Sequence, residues 1–356
     1  MKKKVMVAMS GGVDSAAAAL FIKNAGYDAA GVTMRLYSPA EALCDSDDPD
    51  TLTQDIIDAR SVCDVLGITH FAVQYGESFK KSVIDDFIHE YKNGGTPNPC
   101  VVCNRTLKFG KLLDFALSRG YDKLATGHYV RVEKNENGRY VLKRAEDESK
   151  DQSYFLWSLT QEQLSRVIFP LGDMKKEEIR KIASEHGFVS AHKSDSQDIC
   201  FIPDGDYVSF IEKNTDENFP YGDFIDTDGN VLGKHQGIIR YTVGQRKGLG
   251  IALGKPMFVG EKNAEKNTVM LCDDAELYKT TLTAHSANFV AVEHLPEPTP
   301  LMAKIRYRHT PAWATVTQTS ESTFKVEFDL PQRAIAKGQS VVLYDGDTVV
   351  GGGIID

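Results

Sequence analysis

Two short runs carry residue types able to do chemistry. Cys100 and Cys103 stand three positions apart in "NPCVVCN", and Ser10-Gly11-Gly12-Val13-Asp14-Ser15 directly follows a short apolar run. A Cys-x-x-Cys pair serves as half a zinc site, a redox couple, part of an iron–sulfur ligand set or a sulfur carrier, and alone it does not choose among them. A closed zinc site is disfavoured, because no second pair or spaced histidines complete four ligands. A third thiol, Cys200, sits in the polar stretch "SDSQDICFIP", whereas Cys44, Cys63 and Cys272 stand singly. Asn104 reads as a cap for a following helix, whose positive end, with Arg105 beside it, favours a thiolate at Cys103.

The glycine run has a different chemistry. Two glycines let backbone N–H groups turn toward an anion, the hydroxyls of Ser10 and Ser15 add donors, and a helix starting near Ala16 points its positive end at the same spot. Phosphate fits such a loop. The loop lacks the lysine of a Gly-x-x-x-x-Gly-Lys-Ser/Thr motif and the spacing of a dinucleotide fingerprint, so γ-phosphoryl and hydride transfer are both disfavoured.

The elements that must position these groups alternate over residues 1–200. Lys4–Met9 is apolar, Ala16–Asn24 alanine-rich, Ala29–Tyr37 strand-like, Thr53–Leu66 helical and Thr69–Tyr75 strand-like, the pattern of a parallel sheet with helices on its faces. Phe79, Val83, Phe87 and Tyr91 recur every four residues and predict a core-facing stripe on a helix over Glu77–Tyr91. Asp45–Asp50 reads as a solvated acidic loop, Leu107–Ser118 as helix, Lys123–Ala125 as strand, and Tyr129–Arg144 as a hairpin turned at Asn135–Gly138. Cys63 falls inside a helix and reads as core. After residue 203 short glycine-rich segments suggest a small central domain, and from Lys279 close-spaced runs at Leu301–Arg306, Trp313–Thr317, Phe324–Phe328 and Ser340–Tyr344 predict a β-barrel or sandwich. The expected fold is therefore α/β, with a parallel-sheet nucleotide-binding domain over 1–202, a central domain over 203–278 and a C-terminal β-barrel over 279–356.

The 356 residues need no disulfide to fold, the six cysteines are expected to be reduced, and no run reaches membrane-spanning length, which predicts a soluble cytoplasmic protein. The net charge of −9 argues weakly against a nucleic-acid partner. Locally, Lys234, Arg240, Arg246 and Lys247 in one stretch, with Arg306 and Arg308, predict a basic face.

Ser-Gly-Gly-x-Asp-Ser resembles the loop of the pyrophosphatase-loop ATP-dependent adenylating enzymes, which cleave ATP between the α- and β-phosphates. Together with "TPNPCVVCN", "TGHY", "KDQSYFL", "SDSQDICFIP", "YTVGQRKGLGI" and "IRYRH", it makes the whole chain similar to the tRNA-specific 2-thiouridylase family. The resemblance implies an adenine nucleotide α-hydrolase-like first domain and ATP-dependent replacement of the 2-oxygen of the wobble uridine by sulfur. It implies that Ala8, Met9, Ser10, Gly11, Gly12, Val13, Asp14, Ser15, Met34 and Gly127 bind ATP. Asp14 would hold Mg²⁺, act as a helix cap, or do both. It also implies that Cys200 receives sulfur as a persulfide and that Cys103 releases it or closes a disulfide afterward. Asn98, Pro99, Cys100 and His128 would approach the base, and Lys150, Asp151, Gln152, Arg306, Tyr307 and Gln339 would contact tRNA. A sulfur-donor protein, a sulfur relay or a cysteine desulfurase, is the second implied partner, and no membrane is. In one form of the family the position of Cys100 is an aspartate, so an acid–base role there loses its carboxylate. The three thiols Cys100, Cys103 and Cys200 suit a [4Fe–4S] cluster as well as a persulfide route. The alternative function keeps the adenylating loop but gives it a small-molecule acceptor.

Overall fold

The computed structural model describes residues 2–36, 53–192 and 199–356. The acidic Asp45–Asp50 run, Tyr37, Cys44 and Ser196–Asp198 lie outside the described residues. The chain divides into two compact units, Met1–Val83 with Cys100–Phe201 and Asp347–Val350, and Ile84–Pro99 with Ile202–Gly346 and Gly351–Asp356.

The first unit is a parallel sheet with helices on both faces. Its elements are β1 (Lys4–Ala8), α1 (Val13–Asn24), β2 (Asp28–Arg35), α2 (Gln54–Leu66), β3 (Thr69–Gln74), α3 (Gly76–Phe79), α4 (Asp85–Lys92, in the second unit), α5 (Pro99–Cys103), α6 (Leu112–Ser118), β4 (Lys123–Ala125), β5 (Arg131–Lys134), β6 (Tyr140–Lys143), α7 (Gln161–Ser165), β7 (Val167–Ile168) and α8 (Lys176–Glu185). The strand order is β3-β2-β1-β4-β7, with every pairing parallel. β1, "KVMVA", is apolar without alternation because both of its faces are covered, and Val5, Met6 and Val7 are fully buried. Ala16–Ala19 of α1 are buried against the sheet, their small side chains letting the helix lie close to it. The chain leaves β1 toward β2 on one side and later returns on the other through β4. The loops after β1 and β4 therefore flank the point where strand order reverses, the crevice in which such sheets bind ligands.

The expected stripe is buried, but its two halves serve different units. Phe79 packs edge-on against Phe201 at 5.5 Å in the first, and Phe87 meets Tyr91 at 4.9 Å and Phe210 at 6.4 Å in the second. Lys80–Ile84, between α3 and α4, is a π-helical turn. A longer π segment, Asn104–Lys111, joins α5 to α6. In each, a hydroxyl bonds back to a carbonyl four residues earlier, Ser82 Oγ to Ser78 O at 2.7 Å and Thr106 Oγ1 to Val102 O at 2.8 Å, competing with the α-helical ladder.

The second unit holds α9 (Tyr207–Lys213) and a four-stranded sheet of β8 (Gly222–Ile225), β9 (Val231–His235), β10 (Phe258–Asn263) and β11 (Thr268–Cys272), ordered β10-β11-β8-β9. Then follow β12 (Tyr278–Phe289), β13 (Thr299–Lys304), β14 (Ala312–Ser320), β15 (Thr323–Arg333), β16 (Ser340–Asp345) and β17 (Thr348–Ile355). Their order β12-β15-β14-β13-β16-β17 closes through a β12–β17 pairing, so the predicted barrel is a closed six-stranded one without free edges. Thr348 and Val349, at the start of β17, pair instead with Lys143 and Leu142 of β6 within the first unit.

Candidate active site

The loop between β1 and α1 is braced from within. Ser15 Oγ donates to Gly12 O at 2.9 Å and accepts from Ser10 N at 3.2 Å, which leaves Ser15 buried and Ser10 exposed. Of the two hydroxyls expected to serve a ligand, that of Ser15 is spent on the curvature of the loop. Gly11 has φ +69°, and a Cβ there would stand 2.8 Å from the Asp55 backbone, so only glycine fits. Gly127, in the loop after β4, backs so closely onto the start of α1 that a Cβ would lie 2.7 Å from Asp14 C and 2.9 Å from Ser15 N. Ala8 ends β1 and Met9 follows it, and Met34 lies half-buried near the end of β2, so all the positions expected to bind ATP fall at this one end of the sheet.

Asp14 is not a helix cap. Gly12 occupies the cap position of α1, and the Asp14 carboxylate takes Lys176 Nζ on both oxygens, at 2.8 and 2.7 Å, with the Tyr129 hydroxyl at 2.7 Å on Oδ1. An ammonium therefore stands where the resemblance would put Mg²⁺, and the carboxylate as arranged does not fit the metal.

The thiols belong to the same unit. Cys100 and Cys103 lie in α5, with Pro99 in the first helical position, where a missing N–H costs nothing. The helix thus begins six residues earlier than the cap at Asn104 implies, and Asn104 is buried inside it, donating from Nδ2 to Phe155 O at 3.1 Å. The expectation that a helix end makes Cys103 a thiolate fails with that cap. Burial instead pushes the Cys103 thiol up to about 12, against the opposing pull of Lys108. Arg105, the expected cation, is exposed. Cys100 and Cys200 both reach solvent, yet protein walls them on their other sides, and desolvation raises them too. Lys108 lowers all three, and Cys200 acts electrostatically on both Cys100 and Cys103, so residues far apart in sequence share one neighbourhood. All three are free thiols. Among the described residues no three His, Cys, Asp or Glu side chains are grouped to hold a metal ion, so the three thiols as placed do not fit a cluster.

His128 joins this neighbourhood. Its Nε2 lies 3.5 Å from Lys108 Nζ, and its Nδ1 2.6 Å from the buried Thr126 Oγ1. An ammonium only donates, so Nε2 is the accepting nitrogen and Nδ1 carries the proton. Burial, with Lys108 adding to it, drives the ring well below its usual titration range, so it is neutral. Phe109 and Phe169 close around it at 5.7 and 6.1 Å.

Several residues expected to contact tRNA are engaged within the protein. Asp151 is buried and accepts from Ala145 N, Ser153 N and Ser153 Oγ at 3.2, 3.2 and 2.8 Å. Gln152 Oε1 accepts from Tyr129 N at 3.0 Å, while Lys150 is half-buried. In the second unit, Gln339 Nε2 donates to Thr96 O and Pro97 O at 2.8 and 3.2 Å and so holds the segment leading to Asn98 and Pro99. Arg306 donates to Arg333 O at 3.0 Å, and Lys304 lies 5.4 Å from the centre of the Tyr307 ring. Of the expected basic face, Lys234 pairs with Asp223 and Arg240 with Glu212, while Arg246, Lys247 and Arg308 are exposed. The sequence by itself singles out none of Lys108, Thr126, Tyr129, Phe169 and Lys176 as site residues, although Thr126 begins "TGHY". Tyr129 ends the quoted "TGHY", but nothing local marks Lys176, which meets Asp14 across 162 positions.

Three family models cover the chain. One described as a tRNA methyl transferase HUP domain matches residues 3–204, one described as a tRNA methyl transferase PRC-barrel domain matches 208–273, and one described as an aminomethyltransferase beta-barrel domain matches 279–355. The chain is also similar to whole proteins. It is 48% identical over 357 residues to the tRNA-specific 2-thiouridylase MnmA of Clostridioides difficile, covering 100% of this chain and 99% of that one. With the enzyme of the same name from Acetivibrio thermocellus it shares 49% identity over 362 residues, 99% of each chain. Among the described residues no helix is long and apolar enough to cross a membrane.

Proposed function

The chain belongs to the tRNA-specific 2-thiouridylases, and we propose from that membership a division of labour among its residues. It is an ATP-dependent tRNA sulfurtransferase. Residues 1–202 form its nucleotide-binding catalytic domain, 203–278 its central domain and 279–356 its barrel domain, a division supported by the three matched ranges.

ATP lies on the Ser10–Ser15 loop, with Met34 and Gly127 beside it. The C2 oxygen of the wobble uridine attacks the α-phosphorus and pyrophosphate leaves, which turns a poor leaving oxygen into a good one. Cys200 carries sulfur as a persulfide received from a sulfur-donor protein. The terminal sulfur adds at C2, and AMP departs with the electron pair of the C–O bond. Cys103 then attacks the Cys200 sulfur, the S–S bond breaks onto the thio-base, and a Cys103–Cys200 disulfide remains for a thiol reductant to reopen. The alternative order has Cys103 free the sulfide first. Asn98, Pro99, Cys100 and neutral His128 face the base. Lys150, Arg306 and Tyr307 contact tRNA, while Asp151, Gln152 and Gln339 shape the segments that do so.

The observation that carries the assignment is the placement of the free thiols Cys100, Cys103 and Cys200 in the same compact unit as the Ser10–Ser15 loop, Lys108 and His128. Its test is a mixture of the protein, ATP, unmodified tRNA and a persulfide donor. The expected result is 2-thiouridine that requires ATP and is abolished by Cys103→Ala or Cys200→Ala with ATP binding intact. Wild-type thiolation by the Cys200→Ala variant would remove the persulfide role.

A further inference from the structure

The Ser10–Ser15 loop carries no cation of its own, yet the fold delivers one to it. Lys176, the first residue of α8, has a side chain only 8% exposed and makes a two-pronged contact with Asp14, which is 33% exposed. Further contacts hold the pair there. Asp147 Oδ2 accepts from Lys176 N at 3.0 Å and fixes the start of α8. The Tyr129 ring lies 5.7 Å from the ammonium, and its hydroxyl shares Asp14 Oδ1.

A buried ion pair is weak evidence of a stability device, since desolvation offsets most of its attraction. A lysine in the first turn of a helix also opposes the dipole of that helix. The arrangement makes better sense from the side of the loop. Asp14 sits in the first turn of α1, where the helix end and the turned N–H groups attract anions, and its own charge would repel an arriving triphosphate. Lys176 cancels that charge and brings an ammonium to the same spot. We infer that Lys176 is the cation of this phosphate loop, binding the β,γ-phosphate end of the nucleotide, with Asp14 and Tyr129 positioning it. The inference rests on the reading of the loop as the ATP site.

The experiment measures ATP and AMP affinities of the full-length protein at one fixed magnesium concentration. Lys176→Met is expected to weaken ATP binding about ten- to hundredfold while leaving AMP within about twofold, and Lys176→Arg to recover most of the loss. Should Lys176→Met misfold with Asp14 left unpaired, the Asp14→Asn/Lys176→Met double variant is compared with Asp14→Asn alone and must lose ATP relative to AMP. Equal loss of both ligands, or loss of neither, overturns the inference. Gly11→Val, which drives a side chain into the Asp55 backbone, separates the two readings. If it binds ATP like wild type, the loop is not the ATP site and both ideas fall. If it loses both nucleotides while Lys176→Met leaves ATP affinity unchanged, only the role of Lys176 falls.

Discussion

Gly127→Ala tests how closely the loop after β4 must approach the start of α1. The added Cβ would sit 2.7 Å from Asp14 C, 2.9 Å from Asp14 O and 2.9 Å from Ser15 N. These are backbone atoms with no rotamer to yield. Restoring contact at 3.4 Å requires the two segments to part by about 0.7 Å. Overpacking of this kind costs about 1–3 kcal/mol, which in a domain of this size lowers Tm by roughly 2–10 °C. The functional effect should exceed the thermal one, because a donor array displaced by about this much loses on the order of tens-fold in rate. Differential scanning calorimetry and ATP-dependent tRNA thiolation read the two effects. Gly76→Ala, whose new methyl would meet only the Gln74 side chain at 3.7 Å, is the control and should be neutral in both. A Gly127→Ala protein with wild-type Tm and wild-type kcat/KM would refute the close-approach argument.

Other expectations follow from burial and hydrogen bonding. Cys103, with its thiol pushed up to about 12, should alkylate with iodoacetamide tens of times more slowly at pH 8 than an ordinary thiol, by roughly the thiolate deficit less its higher nucleophilicity. Rapid alkylation at pH 8, mapped to Cys103 by mass spectrometry, would contradict its burial. The fold favours the neutral His128 ring, so that contribution to stability is present above the ordinary 6.5 and is lost as pH falls below it. The Tm of wild type should therefore drop more steeply than that of His128→Gln between about pH 6.5 and 5, and parallel curves would exclude the effect. Asp151→Ala leaves three donors without their acceptor and should cost about 2 kcal/mol of stability, and any loss of tRNA affinity should come together with that loss of Tm. A tRNA affinity lowered at unchanged Tm would return Asp151 to the RNA surface.

Where local pattern and tertiary environment agree, the chain is legible. The continuous apolar run of β1, the alanines of α1 and the Asn-Gly turn between β5 and β6 each state their place, and the positive φ of Gly138 is what that turn needs. Two barrel strands are silent. β12, "YKTTLTAHSANF", is mostly exposed and shows no clean alternation, and the "GGG" of β17 reads as loop. Those glycines answer to packing, since a Cβ on Gly351 would lie 2.5 Å from Asn288 O and one on Gly353 2.7 Å from the Phe324 ring. At the site, glycines and thiols announce themselves by type and spacing. Lys108 and Lys176 do not, because a lysine on a polar helix surface looks the same whether it faces solvent or an internal carboxylate. The misplaced cap at Asn104 has a similar cause. Asparagine before a helix-like run is a capping pattern, and only the Phe155 carbonyl that receives its amide shows why it lies within the helix instead.

The π segment between Cys103 and α6 makes chain length itself a constraint. A π turn is bonded one residue out of step with an α turn, so shortening Asn104–Lys111 by one residue would let ordinary helical bonding resume. The wide turn absorbs its extra residue, so α6 would keep nearly the same phase, whereas the residues inside the turn, Lys108 among them, would be re-placed against the thiols. Substitutions can be absorbed by neighbours that shift a little, whereas a missing codon in this stretch would leave a well-formed helix that no longer sets Lys108 beside the thiols.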